Sequence, residues 1–516
     1  MQVAQAGMLA TSQNVTGSAV DGYVRRTPDA RVNGLSASSV DLSGTSFAVE
    51  GFSRQFSSLL QKQLLTQVGR SAYTAELTRA VAGIDAMLIN PDTSISSAMG
   101  SFFNAAGSLA SDPTNLAFQQ SLVGNAKQVV LRVSALSEAV DSVASDARQG
   151  FADVLNNANT VSAQLADVNA RIVAGQVPGL SYPSADLLDE RDRLSSQLQQ
   201  LLGGSSLLNE DGTASHLLNG VSVVDRQVAN RFVNQGGSVP VRSDQIMEGV
   251  RLLVRSGAGT TAAKEITLVA SPSANPDFGF RSAFEDGKAG AYVELLTQFV
   301  PMMERGLNLF VTTLVADSNA LMPQPIFGLK TATGNLTSST DIKNQLVVNG
   351  LRTTQPFDAL FATPTPAKLV DKFALMLDAT EPSAAAYKSA FDNVLSGDVF
   401  AARNLTVVAT SNSTQFAGLT AQQALSLEGL RDAFIAPLTS LTTRPATVIA
   451  GWVQENRMNV TLQQTLENQK NSISGVNLDE EAANLVKYQQ LYNASSKLIQ
   501  TGQQMFDMLL SMLSGR

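Results

Sequence analysis

Asn477-Leu478-Asp479-Glu480-Glu481-Ala482-Ala483-Asn484-Leu485-Val486-Lys487-Tyr488, running on without a proline to Leu513, is the stretch whose reading decides the fold. Asn477 can accept from the free N–H groups of a first helical turn, and Glu480, three residues on, is placed to reach back as in a capping box. Asp479, Glu480 and Glu481 set negative charge against the positive end of the helix dipole. Leu485, Tyr488, Tyr492, Ser495, Ile499, Gly502, Phe506, Leu509 and Leu513 then recur at three- and four-residue steps, which is a heptad seam. A second stripe, Leu491, Ala494, Leu498, Met505, Met508 and Met512, widens the apolar face beyond what one partner helix covers. The stretch predicts a capped helix that needs partners.

The 516 residues suggest about three or four domains at roughly 100–200 residues each. With 44% hydrophobic and 16% charged residues the chain is of the folded type, and the net charge of −8 offers no electrostatic footprint for nucleic acid. The absence of cysteine removes disulfides, thiol nucleophiles and thiolate metal sites together. His216 is the single histidine, so a catalytic triad would have to be built on it; in Ala214-Ser215-His216-Leu217-Leu218 it reads as an ordinary residue of a half-buried strand or turn. No segment has the uninterrupted apolar length of a membrane span, and the first residues lack the pattern of a cleaved secretory signal.

In chain order, Met1 to Ser12 predicts a short apolar helix, ended by the polar run Gln13-Asn14-Val15-Thr16-Gly17 and too short to stand alone. Residues 32–49, rich in Ser, Thr, Gly and Val, predict a hairpin or long loop. Phe52, Phe56, Leu59, Leu60 and Leu64 open an apolar periodicity that continues to Leu88, hence a long helix broken at Pro91. A second helix follows from Ile95 to Ala110. A third starts at Asp112-Pro113 and runs unbroken to Val173. Ala185 to Leu202 predicts a helix whose alternating acids and bases, Asp186 to Arg193, pair at i,i+3 and i,i+4 or between subunits. Short alternating runs with glycine turns between Gly203 and Phe280 predict strands, and Asn209 to Thr213 a hairpin turn. Gly287-Lys288-Ala289-Gly290 reads as a loop rather than a phosphate cradle. Helix returns from Ala291 to Asn319. Residues 323–415, proline-rich, predict a separate insert with strands at 341–348 and 405–409 and helices at 368–377 and 383–395. From Ala421 the pattern is helical, with Val448, Trp452, Val453, Val460, Leu462 and Leu466 as its apolar face, until Ser474-Gly475.

No motif for phosphate binding, zinc hydrolysis or a nucleophile elbow is present. The terminal segment Ile473-Ser474-Gly475-Val476-Asn477-Leu478-Asp479-Glu480-Glu481, with Ala483-Asn484-Leu485 and Tyr488-Gln489, resembles the carboxyl end of the flagellar hook-associated protein 1 family. Asn14-Val15, Gly22-Tyr23 and Arg25 resemble the amino-terminal signature of flagellar axial proteins. Arg54-Gln55-Phe56, Ile84-Asp85, Phe102-Phe103, Ser111-Asp112-Pro113 and Leu187-Leu188-Asp189-Glu190-Arg191-Asp192 resemble the family's long helical domain.

The resemblance implies a mainly α protein with inserted β-rich domains, elongated and discontinuous, with paired N- and C-terminal helices. The expected division is 1–26 with 475–516 as a terminal coiled-coil domain; 27–202, 285–322 and 416–474 as a long-helix domain; 203–284 as a β-rich subdomain; and 323–415 as an outer α/β insert. It implies a non-enzymatic structural adaptor joining hook to filament, exported without a cleaved signal. No cofactor, nucleic acid or membrane is expected. The implied partners are copies of itself in a ring, hook subunits, adjacent junction or filament subunits, and an export chaperone at the C-terminal helix. The expected assembly face is Leu485, Tyr488, Tyr492, Leu498, Ile499, Met505, Phe506, Leu509 and Leu513 with Met8 and Leu9, and Asn477 and Glu480 form the helix cap. Against the family pattern the amino-terminal helix starts about a dozen residues late, roughly three turns, and Gly17 and Ala19 stand where polar residues are usual. The short helix should therefore cover the seam incompletely and leave the second stripe to neighbouring subunits. Other readings are another rod or hook axial protein, or a secreted amphipathic membrane-active protein; the scarcity of Lys and Arg on the last helix disfavours the latter.

Overall fold

The computed structural model describes residues 1–20, 22–33, 46–90, 92, 94–175, 184–234, 250–254, 264–267, 283–331, 334–338, 341, 402–410 and 415–514. The helices expected at 368–377 and 383–395, and the strand expected at 341–348 apart from Asp341, lie outside these residues.

The amino-terminal helix α1, Gln2–Gly17, runs straight through the polar stretch expected to end it. Its polar residues there find tertiary partners, and Asn14 is buried with four hydrogen-bond contacts. The hairpin is formed by β1, Arg26–Asn33, and β2, Ser46–Arg54, paired antiparallel with a bulge at Asp29/Ala30. This corrects the start of the following helix. Phe52 lies in β2 and Phe56 in the connection, and α2 spans Ser58–Ile89 because the Ser57 hydroxyl accepts from Leu60 N. Helix α3, Ile95–Ser111, is capped by Ser94, and α4, Leu116–Ala174, by Asn115, whose side chain accepts from the Ala117 and Phe118 N–H groups. Pro113 therefore precedes the helix instead of opening it. The 59 residues of α4 make a helix about 88 Å long. Helix α5 spans Ala185–Leu202 as expected.

A four-stranded antiparallel sheet follows: β3, Ser205–Leu208; β4, Ala214–Leu218; β5, Val221–Asp225; and β6, Val228–Ala229. The β3–β4 turn is closed by Asp211, whose carboxylate accepts from Thr213 N and Oγ1. A three-stranded sheet pairs β7, Arg231–Asn234, β8, Val250–Val254, and β9, Lys264–Thr267. Asparagines of α4 dock both sheets by standing in for a strand neighbour. Asn169 donates to Ala214 O and accepts from Ala214 N, and Asn159 brackets the Phe232 backbone in the same way.

Helix α6, Gly287–Glu294, continues through a π turn, Leu295–Phe299, into α7, Val300–Ala320. The π turn lies directly before Pro301, which has no N–H to give to the ladder. Gly287-Lys288-Ala289-Gly290 is thus the first turn of a helix and not a loop. Gly287 has φ +70° and a Cβ there would lie 2.4 Å from Gly203 N, so the close crossing of the two backbones requires glycine. Strands β10, Phe327–Thr331, β11, Gly334–Leu336, and β12, Leu405–Val407, form a sheet with β10 in the middle. The base of the expected insert therefore joins the main core, where Phe327 packs on Phe102 at 5.3 Å between ring centroids.

Helix α8, Ala421–Ser474, starts at a Thr420/Gln423 capping box. Its first half buries Leu427, Leu430, Phe434 and Leu438, with Phe434 6.1 Å from Phe103 of α3 and 6.0 Å from Phe310 of α7. Its second half differs from the expected apolar face: Val460 and Leu462 point to solvent, while Asn459 is buried against α2. After Gly475 the chain enters α9, Leu478–Ser514.

Two buried titratable groups in this body predict its pH dependence. His216 lies wholly inside the sheet, its Nδ1 3.0 Å from Ser206 Oγ, and burial pushes the imidazole down to about 4. Asp317 on α7 is buried with no hydrogen-bond partner for Oδ2, and burial pushes its carboxyl up to about 8. As pH falls from about 6.5 to about 4 the unfolded chain takes the histidine proton first, so that contribution to stability is lost. As pH rises from about 4 to about 8 the unfolded chain releases the aspartic proton first, so stability falls with rising pH. The two slopes oppose below about pH 6.5, and Asp317 alone acts from there to about 8, where roughly 2 kcal/mol is lost. Asp317→Asn should therefore flatten the urea midpoint between pH 6.5 and 8; an unchanged slope would assign it to another group.

Candidate assembly interface

Helix α1 lies on the first half of α9, antiparallel to it: Gly7 meets Tyr488, and seven residues further along each helix Asn14 meets Glu481. The contact face of α1 is built from small residues. Ala4, Gly7, Ala10 and Thr11, and Asn14 are buried along one face, one turn apart, while α9 presents Leu485, Tyr488, Tyr492 and Ser495 half-buried. Small residues let the backbones approach closely, and the Tyr488 ring fills the notch at Gly7, where a Cβ would come to 2.4 Å. Gly7→Val should cost about 1–3 kcal/mol by overpacking. A 16-residue helix is marginal alone, so α1 should detach, read as faster amide exchange across residues 2–17 with no change in the body.

The sequence-selected residues divide in two. Leu485, Tyr488 and Tyr492 are at the α1 contact and Met8 at its margin, whereas Leu9 is exposed. Every residue of α9 from Lys497 to Met512 is exposed, including Leu498 (74%), Ile499, Met505, Phe506 (62%) and Leu509. The Leu513 side chain lies outside the described residues. Past the residues that contact α1, leucine, isoleucine, methionine and phenylalanine side chains of α9 form a continuous exposed apolar face. Patches of this kind mark binding surfaces.

A polar joint at the other end of the pair holds it to the body. Asn14 Nδ2 donates to Arg26 O (2.9 Å) and Glu481 Oε2 (3.0 Å), and its Oδ1 accepts from Arg26 N (2.9 Å) and Tyr23 OH (3.0 Å). Burial pushes the Tyr23 phenol up to about 12, so it remains the donor in that bond at neutral pH. Arg25 is the hub. Its Nε donates to Glu481 and its Nη2 to Glu480, both at 2.8 Å, its N–H donates to Ser474 O at the end of α8, and its carbonyl accepts from Gln55 N after β2. Burial alone would lower the Arg25 guanidinium, yet the two carboxylates hold it above its ordinary value.

The helix cap differs from the expected box. Asn477 Oδ1 does accept from Asp479 N at 3.0 Å, but Glu480 directs Oε1 to Arg25. The acids of α5 also reach further than their own helix. Only Glu190 and Arg193 form an i,i+3 pair. Asp186 and Asp189 hold Arg26, and Asp189 and Asp192 hold Arg54, at 2.6–3.0 Å. Sequence reasoning placed Asn14, Tyr23, Arg25 and Arg54 in signatures without a role and gave none to Arg26. The adjacent Arg25-Arg26 pair and the acid-rich start of α5 were the available signal.

A family model described as the flagellar hook-associated protein FlgK helical domain matches residues 81–334. One described as the flagellar basal body rod FlgEFG protein C-terminal matches residues 468–512. Proteins named flagellar hook-associated protein 1 from Salmonella typhimurium and Escherichia coli are 23% and 24% identical, each over 558 residues that cover 99% of this chain and 98% of the relative. A solved structure, the flagellar hook junction protein FlgK from Burkholderia pseudomallei, is similar at 17% identity and a TM-score of 0.39, over 52% of this chain and 47% of that one.

Proposed function

The chain belongs to the flagellar hook-associated protein 1 family, and from that premise we propose that it is a structural adaptor subunit that joins hook to filament by self-assembly through its terminal helices. The observation that carries the reading is the exposed apolar face of α9 from Leu498 to Met512. In a free subunit this face is costly; buried against neighbours it is worth about 25 cal/mol per Å² of apolar area, so ordering of the ends is coupled to assembly. The assembly interface is Leu498, Ile499, Met505, Phe506, Leu509 and Leu513, with Leu485, Tyr488 and Tyr492 holding α1 in place.

The partners are copies of this chain in a ring, hook subunits on one side and junction or filament subunits on the other. The same face of α9 would be held by an export chaperone before assembly, since an uncovered stripe of this size favours aggregation in transit. The molecule is elongated, with residues 1–26 and 475–516 as the inner terminal domain, 27–202, 285–322 and 416–474 as the long-helix domain, 203–284 as a β-rich subdomain and 323–415 as the outward insert. Its role requires no reaction centre.

Imaging a tag inserted at residue 333, next to the exposed Gly334, on intact flagella tests the reading. Label confined to a narrow band between hook and filament is expected. Label along the whole filament, or within the rod, would overturn it.

A further inference from the structure

The second half of α8 has an inside-out seam. Asn456 and Asn459 face α2, and the residues that follow at three- and four-residue steps and are at least half-buried, Gln463, Lys470 and Ser474, are also polar, with Leu466 between them and Trp452 before them on Phe299. Met458, Leu462 and Ile473, which would make an ordinary apolar contact, are exposed. Hydrophobic knobs alone therefore do not choose this face. What joins the helices here is a ladder of hydrogen bonds: Gln67 Nε2 donates to Asn459 O and Oδ1 (both 3.0 Å), Asn459 Nδ2 donates to Thr74 Oγ1 (3.3 Å), and Thr74 Oγ1 donates to Asn456 Oδ1 (3.1 Å). Thr74, Gln67 and Asn459 are all buried.

We propose that Gln67, Thr74, Asn456 and Asn459 are positioning residues that lock the rotation and register of the lower α2–α8 pair, and through it the joint of the terminal helices. A buried polar group in a helix seam specifies alignment because any other alignment leaves it unsatisfied. The first half of α8 is held by its aromatic core, so it is the last six turns, beyond Trp452, that need a lock. The connection to the joint is direct. Helix α8 ends at Ser474, whose carbonyl receives the Arg25 N–H at 2.9 Å, and the connection just before α2 supplies Gln55 N to the Arg25 carbonyl at 2.9 Å. Rotation or slip of one helix against the other displaces the two groups between which Arg25 is held.

The chain has no cysteine, so spin labels at positions 66 and 464, both exposed, report the alignment without background. The full-length protein should give one narrow distance. The triple variant Gln67→Ala/Thr74→Ala/Asn459→Ala should give a broadened distribution or a second one displaced by up to about 5 Å, a helical turn, and exchange at the Arg25 amide should rise about tenfold, the equivalent of roughly one hydrogen bond. Thr74→Ser, which keeps the hydroxyl, should retain the narrow distance. If the triple variant does not fold, Gln67→Met removes only the two bonds to Asn459 and should still broaden the distribution. A narrow, undisplaced distance in the folded triple variant, or in Gln67→Met when the triple variant does not fold, overturns the proposal.

Discussion

Replacing Glu481 with alanine is expected to release the terminal helix pair from the body while the body itself stays folded. Glu481 is 1% exposed and is the point at which α1, α9 and the Arg25 hub meet: Oε1 accepts from Arg25 Nε and Oε2 from Asn14 Nδ2. Removing one partner of a buried ion pair costs about 3–5 kcal/mol, because the other charge stays in a poorly solvated site. Arg25 retains Glu480, whose side chain is 55% exposed and therefore a weaker counter-ion, and Asn14 loses an acceptor inside the joint. The expected result is rapid amide exchange over residues 2–17 and over the first turns of α9, with the exchange of α3 and α4 unaltered. Glu481→Gln should fall between, since its amide oxygen can still accept from Asn14 but carries no charge for Arg25. If both variants exchange like the parent, the pair is held by the Tyr488–Gly7 packing alone.

The second large effect is expected at Asp189. Its carboxylate lies between two guanidinium groups, 3.0 Å from Arg26 and 2.8 Å from Arg54, and both arginine side chains are almost fully buried, at 5% and 6% exposed. Burial raises the Asp189 carboxyl above its ordinary value, with Arg54 and Arg26 acting against that shift, so it is stabilised as an anion only by these two partners. Asp189→Ala leaves Arg26 with Asp186, which is 78% exposed, and Arg54 with Asp192. A loss of about 3–5 kcal/mol follows from the uncompensated buried charge. It should appear as undocking of the β1–β2 hairpin from α5, detected as new protease cleavage within residues 46–57. Changing Arg193, whose pair with Glu190 is exposed, should cost no more than about 1 kcal/mol and serves as the control.

Local chemistry made several elements legible. Helix α5 begins and ends at the expected residues, with Ser184 at its N-cap and Gly203, at φ +69°, closing it. The long α4 was readable from its apolar period and its lack of proline over 59 residues. Errors arose where a side chain's partner is remote in sequence. The run Gln13 to Gly17 looks like a helix end, but Asn14 is satisfied by residues 12 and 467 positions away. Phe52 and Phe56 keep a helical spacing with Leu59 and Leu60, but β1 supplies hydrogen bonds to residues 46–54 and the Ser57 cap begins the helix later. In α8 the apolar residues Val460 and Leu462 appear to define the inner face, whereas Gln67 and Thr74 of α2 select Asn459 instead.

The candidate site divides along the same line. The stretch from Asn477 to Leu513 was sufficient, as sequence, to specify a capped helix with more apolar surface than one partner could cover, because capping and heptad spacing are local properties of the chain. Where α1 sits on that surface was decided by tertiary structure: Gly7 seats the Tyr488 ring, and Asn14 meets Glu481. The joint that holds the pair also belongs to tertiary structure alone. Its charges come from residues 25, 26, 54, 186, 189, 192, 480 and 481, and a buried ion pair is stable only at a distance and orientation that these separate segments acquire together on folding.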